Sequence, residues 1–264
     1  MQLKTDKMIA RKENGIGWMI FNNPERRNAV SLAMREAMVE ILETYNRDDE
    51  VRLLILRGAG GKSFVAGADI SEFKDKRNSA EAEAHYNAVS DRSRVAMLAF
   101  EKPIIAMIEG FCVGGGLATA LSCDLRIASD DSEFGVPAAK LGLAYSFDNL
   151  RNLTNVVGPS YAKQILFTGA RMPAAKALEI GLVNEILPRA ELEGHILALA
   201  AEIAANAPLS VKASKATINE IYKDPGERDH ERMAALARAC FDSRDYREGR
   251  EAFMEKRKPV FEGR

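Results

Sequence analysis

The feature that most constrains the fold is a stretch of small and apolar side chains at 104–123, IIAMIEGFCVGGGLATALSC, with a triple glycine in its middle. Its length is that of a membrane span, but Glu109 and the glycines argue against one. A buried strand at Ile104–Ile108, a tight turn at Gly114–Gly116 and a buried helix from Leu117 account for the same residues. The stretch therefore predicts a strand–turn–helix unit inside a globular core.

The rest of the first half alternates between strand-like and helix-like patterns. Strands are predicted at Gly17–Phe21, Arg52–Arg57 and Leu125–Ser129. A helix with Ser31 as its N-cap is predicted after the first strand, and another at Tyr86–Phe100. Short apolar strands that alternate with helices predict an α/β fold with the helices on the outside.

The second half has a different pattern, which is helical from about residue 160 onward. Its predicted helices are broken at prolines and glycines and lie at 160–168, 173–180, 189–206, 208–222, 227–242 and 244–257. The sequence therefore predicts an α/β core at 1–200 and a helical C-terminal region at 201–264.

Composition excludes several classes of function. Lysine and arginine total 37 against 38 acidic residues, and a net charge of -1 gives no support to nucleic-acid binding. Cys112, Cys123, Cys240 and the three histidines form no CxxC pair or metal-ligand pattern, so we expect no metal site. The N-terminal residues lack the apolar segment of a secretory signal, which favours a cytoplasmic protein without a membrane partner.

The segment Gly58–Ser63, GAGGKS, resembles the end of a phosphate-binding P-loop. The first glycine of that motif would stand at position 56, which is Leu. Nucleotide hydrolysis is therefore not expected, and Lys62 is interpreted as a solvated loop residue.

Two further small-residue segments precede predicted helices, FVAGADI at 64–70 and GFCVGGGL at 110–117. Small side chains let another group approach the backbone, and the start of a helix exposes N–H donors. Each segment alone is also explained as an ordinary helix start, with Asp69 as the N-cap of the first. Together, two such starts can give one N–H each to a single oxygen, which is the arrangement of an oxyanion hole.

Five motifs carry a resemblance to a known family. AGADI, the GGG helix start, CDLRIAS, the segment FTG...AAKALEIGLVNEI and FMEKRKPVF resemble, in order and spacing, the crotonase superfamily, or enoyl-CoA hydratase/isomerase family. The resemblance implies a spiral of repeated ββα units with a C-terminal helical region for trimerisation, often as a dimer of trimers. It also implies an acyl-CoA thioester substrate and no permanently bound cofactor.

The resemblance assigns residues as well. It places the oxyanion hole on the backbone amides of Ala68 and Gly115. The residues that it implies for CoA binding are Arg26, Arg27, Ala66, Gly67, Asp69, Ile70, Phe253 and Lys256, the last two often acting from a neighbouring subunit. A solvated turn is the alternative for the two arginines, and an amphipathic helix with a basic edge is the alternative for the C-terminal pair.

The sequence departs from the family where hydratases carry two glutamates. Both positions are alanine here, Ala118 and Ala138, so neither supplies the acid or base that water addition needs. The loop after Ala138 supplies the catalytic side chain in related enzymes. This side chain is an aspartate at the position of Ser146 in dehalogenases and dienoyl isomerases, and a tyrosine near Tyr145 in methylmalonyl-CoA decarboxylase. Tyr145 is either catalytic or a buried anchor, and Asp148 is either a relocated base or a cap of the next helix.

Three hypotheses of function follow. The preferred one is decarboxylation of a malonyl- or alkylmalonyl-CoA, because loss of CO₂ generates the enolate without proton abstraction and needs only the oxyanion hole. The second is an enoyl-CoA hydratase or isomerase that uses Asp148 or Tyr145. The third is a non-catalytic acyl-CoA-binding or scaffold protein.

Overall fold

A computed structural model describes residues 1, 3–69 and 79–264. Ile70 and most of the charged segment that follows it lie outside the described residues. The strands are β1 Met8–Glu13, β2 Ile16–Phe21, β3 Leu53–Gly58, β4 Ser63–Val65, β5 Ile104–Ile108, β6 Phe111–Val113, β7 Leu125–Ser129, β8 Glu133–Gly135, β9 Met172–Pro173 and β10 Glu185–Leu187. The α-helices in the same residues are α1 Leu32–Arg47, α2 Ala80–Ala99, α3 Gly115–Leu121, α4 Phe147–Thr168, α5 Ala174–Glu179, α6 Arg189–Ala205, α7 Pro208–Ile221, α8 His230–Asp242 and α9 Arg244–Glu255.

The strands form two sheets. The larger sheet has the order β1-β2-β3-β5-β7-β10 and is parallel except for the β1–β2 pair. The smaller sheet has the order β4-β6-β8-β9 and is parallel except for β9. Along the chain, β3, β5 and β7 of the larger sheet are each followed by one strand of the smaller sheet. This repeat is the predicted spiral of ββα units, and the α/β fold class is confirmed.

The larger sheet is buried on both faces, as parallel sheets usually are. Leu54 and Leu56 of β3 face one apolar cluster, which includes Met34 and Ile41 of α1. Their neighbours Leu53 and Ile55 face a second cluster, which α6 covers with Leu192, Ile196 and Ala200. Successive side chains of a strand point to opposite faces, so a helical layer is needed on each side.

The predicted helices and longer strands are present with small shifts. Ser31 caps α1 by accepting a hydrogen bond from the Met34 amide at 3.3 Å. The α2 helix begins at Ala80, earlier than predicted, and α4 contains a break at Gly158, so the predicted helix 160–168 is its second part. The short strands of the smaller sheet were not predicted, because two or three residues carry almost no periodicity. The six-residue strand β1 was not predicted either.

The C-terminal helices follow α6, which runs across residue 200 to Ala205. The division of the chain at residue 200 therefore falls within a helix and stays a prediction. Among the described residues, no single helix has both the length and the apolarity of a membrane span; α6 and α7 reach them only as a pair, bent by 104°.

Candidate active site

Two backbone amides meet at the ends of neighbouring strands. The segment after β4 forms an isolated parallel bridge between Val30 and Ala68. The hydrogen bonds of that bridge use the Gly67 carbonyl and the Asp69 amide, at 2.8 and 3.0 Å, so the Ala68 N–H points to the opposite side. A methyl group on Gly115, the first residue of α3, would lie 3.6 Å from the Ala68 nitrogen. Ala68 and the start of α3 therefore lie close together, and the missing side chain of Gly115 leaves a space beside the Ala68 amide.

Glycine is required around this space for two different reasons. Gly67 has a φ of +105°, which L side chains rarely adopt. A methyl group on Gly116 would lie 1.9 Å from the Val65 carbonyl oxygen, so only glycine lets α3 pack this closely on β4. A methyl group on Gly115 would make only ordinary contacts. Gly115 is thus compatible with a side chain in the fold, but that side chain would fill the space between the amides.

The resemblance expects the two hydratase glutamates at Ala118 and Ala138. Ala118 is in α3, one turn after Gly115, and its amide bonds to the Gly114 carbonyl at 3.1 Å. Ala138 is buried in a short 3-10 helix at Pro137–Leu141 that follows β8. Neither side chain can accept or donate a proton.

The hydroxyl of Tyr145 is buried and has no hydrogen-bond partner among the described residues. The ring packs against the main apolar cluster, and its loop is tied to the 3-10 helix by the Leu143 amide, which donates to the Ala138 carbonyl at 3.0 Å. Burial, and to a smaller extent the nearby Cys112 thiol of β6, raises the pKa of Tyr145. The phenol is therefore neutral at physiological pH.

The structure corrects one of the two interpretations of Asp148, the helix cap, and leaves the relocated base as a prediction. The N-cap of α4 is Ser146, so Asp148 is not the cap. Its carboxylate lies 3.0 Å from Nη2 of Arg94 on α2 and 3.3 Å from Nη2 of Arg151 on α4. The carboxylate is thus engaged by guanidinium groups from two helices. The arginine on α2 was not anticipated, because a contact between distant helices leaves no local sequence pattern.

The two arginines of the turn after β2 have different surroundings. Arg26 pairs with the buried Asp69, with Nη1 at 3.0 and 3.3 Å from its two oxygens. Arg27 joins the same loop through its carbonyl, which accepts from the Ala66 amide at 3.0 Å, while its guanidinium lies 4.8 Å from the centre of the Phe111 ring. The structure thus places the predicted CoA-binding residues of both segments in one region, except for Ile70, which is not described. The helix that Asp69 was expected to cap is not described either.

Phe253 and Lys256 lie apart from this region, at the end of α9. Phe253 is 82% exposed and lines a second cavity of about 780 Å³ with Phe241, Tyr246 and Met254. That cavity contains neither Ala68 nor Gly115. In a single chain, therefore, the C-terminal pair does not contribute to the site around the two amides.

Comparisons with known proteins agree with this architecture. Residues 11–264 match the model of the family described as enoyl-CoA hydratase/isomerase. A short-chain-enoyl-CoA hydratase of Clostridium acetobutylicum is 36% identical over 97% of each chain, and a methylmalonyl-CoA decarboxylase of Escherichia coli is 34% identical over 95% of each chain. The crystal structure of an enoyl-CoA hydratase/carnithine racemase from Magnetospirillum magneticum superposes with a TM-score of 0.93 at 36% identity, covering 99% of this chain and 97% of the other.

The family model and the relatives span nearly the whole chain, and the fold agrees with them over the same length. The chain therefore belongs to the enoyl-CoA hydratase/isomerase family, a family of acyl-CoA enzymes with the crotonase fold.

Proposed function

We propose that this protein stabilises the enolate of an acyl-CoA thioester between the amides of Ala68 and Gly115, and that its reaction is the decarboxylation of a malonyl- or alkylmalonyl-CoA. The observation that carries the proposal is the pairing of a neutral, unpartnered Tyr145 hydroxyl with alanines at both hydratase positions. This arrangement offers a proton donor in Tyr145 and no proton-accepting side chain at positions 118 and 138.

Decarboxylation suits such a site. The bond between the α-carbon and the carboxylate carbon breaks, CO₂ leaves, and the electron pair passes into the thioester as an enolate. The developing negative charge on the thioester oxygen is stabilised by the two amides, and each donor of this kind contributes about 3–4 kcal/mol in other enzymes. An apolar wall at Ala118 and Ala138 disfavours the charged carboxylate relative to neutral CO₂.

Tyr145 then has a role after the bond has broken. The enolate needs one proton at the α-carbon, and the neutral phenol carries a proton that it can supply and then replace from water. Before that step, the same hydroxyl can donate a hydrogen bond to the departing carboxylate. Either role gives a partner to a hydroxyl that has none among the residues the structure describes.

A second candidate is a hydratase or isomerase with a relocated base, and it is favoured by the name of the Clostridium acetobutylicum relative. For Asp148 this role conflicts with the two arginines that hold its carboxylate.

We also propose that the protein assembles as a homotrimer or a dimer of trimers through its C-terminal helices. The support is the exposure of large apolar side chains there: Phe241, Phe253 and Met254 are 64%, 82% and 80% exposed in the single chain. Such a concentration of exposed apolar surface is typical of an interface.

Mass spectrometry of products distinguishes the candidates. Purified protein is offered crotonyl-CoA and methylmalonyl-CoA together, with Gly115→Pro as the control, because proline is tolerated at the first position of a helix but has no N–H. Propionyl-CoA with the native protein, lost in the proline variant, supports decarboxylation. 3-Hydroxybutyryl-CoA instead identifies a hydratase, and CoA binding without either product after a wider acyl panel identifies a binding protein.

A further inference from the structure

The residue before Ala68 leaves the direction of the Ala68 amide undetermined. Gly67 has a φ of +105°, and glycine has more backbone freedom than any other residue type. An oxyanion donor is effective only when its N–H points at the place where the charge develops. The Ala68 amide therefore needs to be fixed by contacts of the neighbouring residues, and Asp69 makes such contacts.

Asp69 is held at two places by the turn that follows β2. Its amide donates to the Val30 carbonyl at 3.0 Å. Its carboxylate belongs to a residue that is only 6% exposed, and the two oxygens lie 3.0 and 3.3 Å from Nη1 of Arg26. A backbone hydrogen bond and an ion pair at one residue together restrict its orientation. The N–H of the adjoining Ala68, which these contacts do not use, is thereby kept on the opposite side.

The turn that carries Arg26 is itself fixed. Asn28, which is fully buried, donates from Nδ2 to the carbonyls of Ala59 and Ser63 at 3.0 and 2.7 Å. Its Oδ1 accepts from the Asn23 amide at 2.9 Å, and the Arg26 amide donates to the Asn23 carbonyl at 3.0 Å. Arg26 therefore reaches Asp69 from a turn that is bonded to the same loop that leads into β4.

The two partners of this ion pair differ in burial. The Asp69 side chain is 6% exposed, whereas the Arg26 side chain is 51% exposed. Burial of an ionised carboxylate is costly unless a cation compensates it. Loss of Arg26 therefore favours a movement of the Asp69 carboxylate towards water, and that movement turns the adjoining Ala68 amide away from its native direction.

We infer that Arg26 is a positioning residue, which acts through Asp69 to hold the Ala68 N–H towards the thioester oxygen. The inference rests on the proposed function, since that function gives the Ala68 amide an oxygen to bind. It differs from the CoA-binding role that the resemblance implies for Arg26, in which the guanidinium would contact the ligand itself.

Infrared difference spectroscopy of bound propionyl-CoA, labelled with ¹³C at the thioester carbonyl, reports the oxyanion donors without any turnover. Hydrogen bonds to a carbonyl oxygen lower its stretching frequency, so native protein should shift the labelled band downwards. We expect a smaller shift in Arg26→Met. We also expect its kcat for methylmalonyl-CoA to fall about tenfold or more, because a small misplacement of a catalytic group can cost about 10²-fold.

Two further variants and a binding measurement separate positioning from other roles. Isothermal titration calorimetry with free CoA should give the same affinity for Arg26→Met as for native protein. Arg26→Lys keeps the positive charge and should recover part of the carbonyl shift and of kcat, and it carries the comparison if Arg26→Met does not fold. The control is Arg47→Gln, which removes an exposed arginine of α1 that pairs with Glu43 at 3.9 Å, and it should behave as native protein.

A double-mutant cycle in kcat tests whether Arg26 acts through Asp69. Arg26→Met and Asp69→Asn remove the same ion pair, so we expect the loss in the double variant to be smaller than the product of the two single losses. Independent, multiplying losses would overturn the inference.

The remaining outcomes separate this inference from the proposed function. A native carbonyl shift in Arg26→Met, with or without weaker binding of free CoA, would overturn the positioning role even while methylmalonyl-CoA is turned over. A shift that is present in native protein and reduced in Arg26→Met, without any propionyl-CoA product, would support the positioning role and contradict only the proposed reaction. Absence of the shift in native protein would contradict the oxyanion site itself and the inference with it.

Discussion

Asp148 Oδ2 lies 3.0 Å from Nη2 of Arg94, and this ion pair joins α2 to the first turn of α4, three residues after Tyr145. Its side chains are 32% and 26% exposed, and Arg151 adds a second guanidinium at 3.3 Å. The carboxylate that the sequence offered as a base is therefore part of the attachment of the Tyr145 loop.

Replacement of Asp148 by asparagine tests this assignment. A general base contributes about 10²–10⁴-fold to a rate, so retention of most of the turnover would exclude that role. We expect Asp148→Asn to lower the free energy of unfolding by about 1 kcal/mol or less, as partly exposed ion pairs do. A double-mutant cycle with Arg94→Gln, measured by urea denaturation, gives the coupling energy between Asp148 and Arg94. A thousandfold loss of kcat in Asp148→Asn would instead support Asp148 as the general base.

Gly115→Ala and Gly116→Ala form a matched pair at the oxyanion site. The methyl group of the first fills the space between the amides and makes ordinary contacts, so we expect native thermal stability and a kcat lower by about 10²–10³-fold. The methyl group of the second meets the Val65 carbonyl oxygen at 1.9 Å and should lower the melting temperature strongly. Full activity of a folded Gly115→Ala protein would contradict the oxyanion hole placed here.

Tyr145→Phe separates a catalytic tyrosine from a structural anchor. The phenylalanine ring keeps the packing, and the removed hydroxyl has no partner among the described residues, so stability should be unchanged or slightly higher. We expect kcat for methylmalonyl-CoA to fall by about 10²-fold or more, as for other proton donors. An unchanged kcat, measured by release of CO₂, would show that the Tyr145 ring has only a structural role in packing.

The raised pKa of Tyr145 predicts a pH dependence of stability. Below pH 10, the ordinary value, the phenol is protonated in both the folded and unfolded chains. Above pH 10 the unfolded chain loses the proton while the folded chain keeps it, so stability falls as pH rises towards the folded pKa. Native protein should thus lose free energy of unfolding relative to Tyr145→Phe between pH 9 and about pH 11. Parallel pH curves for the two proteins would show that the phenol is not buried in solution.

The exposed C-terminal aromatic residues predict an effect on assembly. Phe253 is 82% exposed in the single chain, so Phe253→Glu should leave the melting of the protomer intact while it places a charge in the proposed interface. Light scattering after gel filtration should report a trimer or hexamer for native protein and smaller species for the variant. A native protein that elutes as a 29.0 kDa monomer would contradict the proposed assembly.

Much of the fold could be predicted from local patterns. The apolar strand at 104–108, the triple glycine and the helical second half each determine their own structure through periodicity, backbone freedom or breaking residues. The same glycines indicated a place where the backbone can be approached closely. In the fold, the Val65 carbonyl oxygen excludes any side chain at Gly116.

Only the tertiary structure decided which charges are already paired and which are not. By sequence, Asp148 was a candidate base or helix cap; in the fold, two arginines hold its carboxylate. Lys62 was interpreted as a solvated loop residue, and in the fold it is exposed in the loop before β4. The physical reason is that an ion pair depends on distance in space. Arg94 and Asp148 are far apart along the chain, and only the folding of the chain brings them within 3.0 Å.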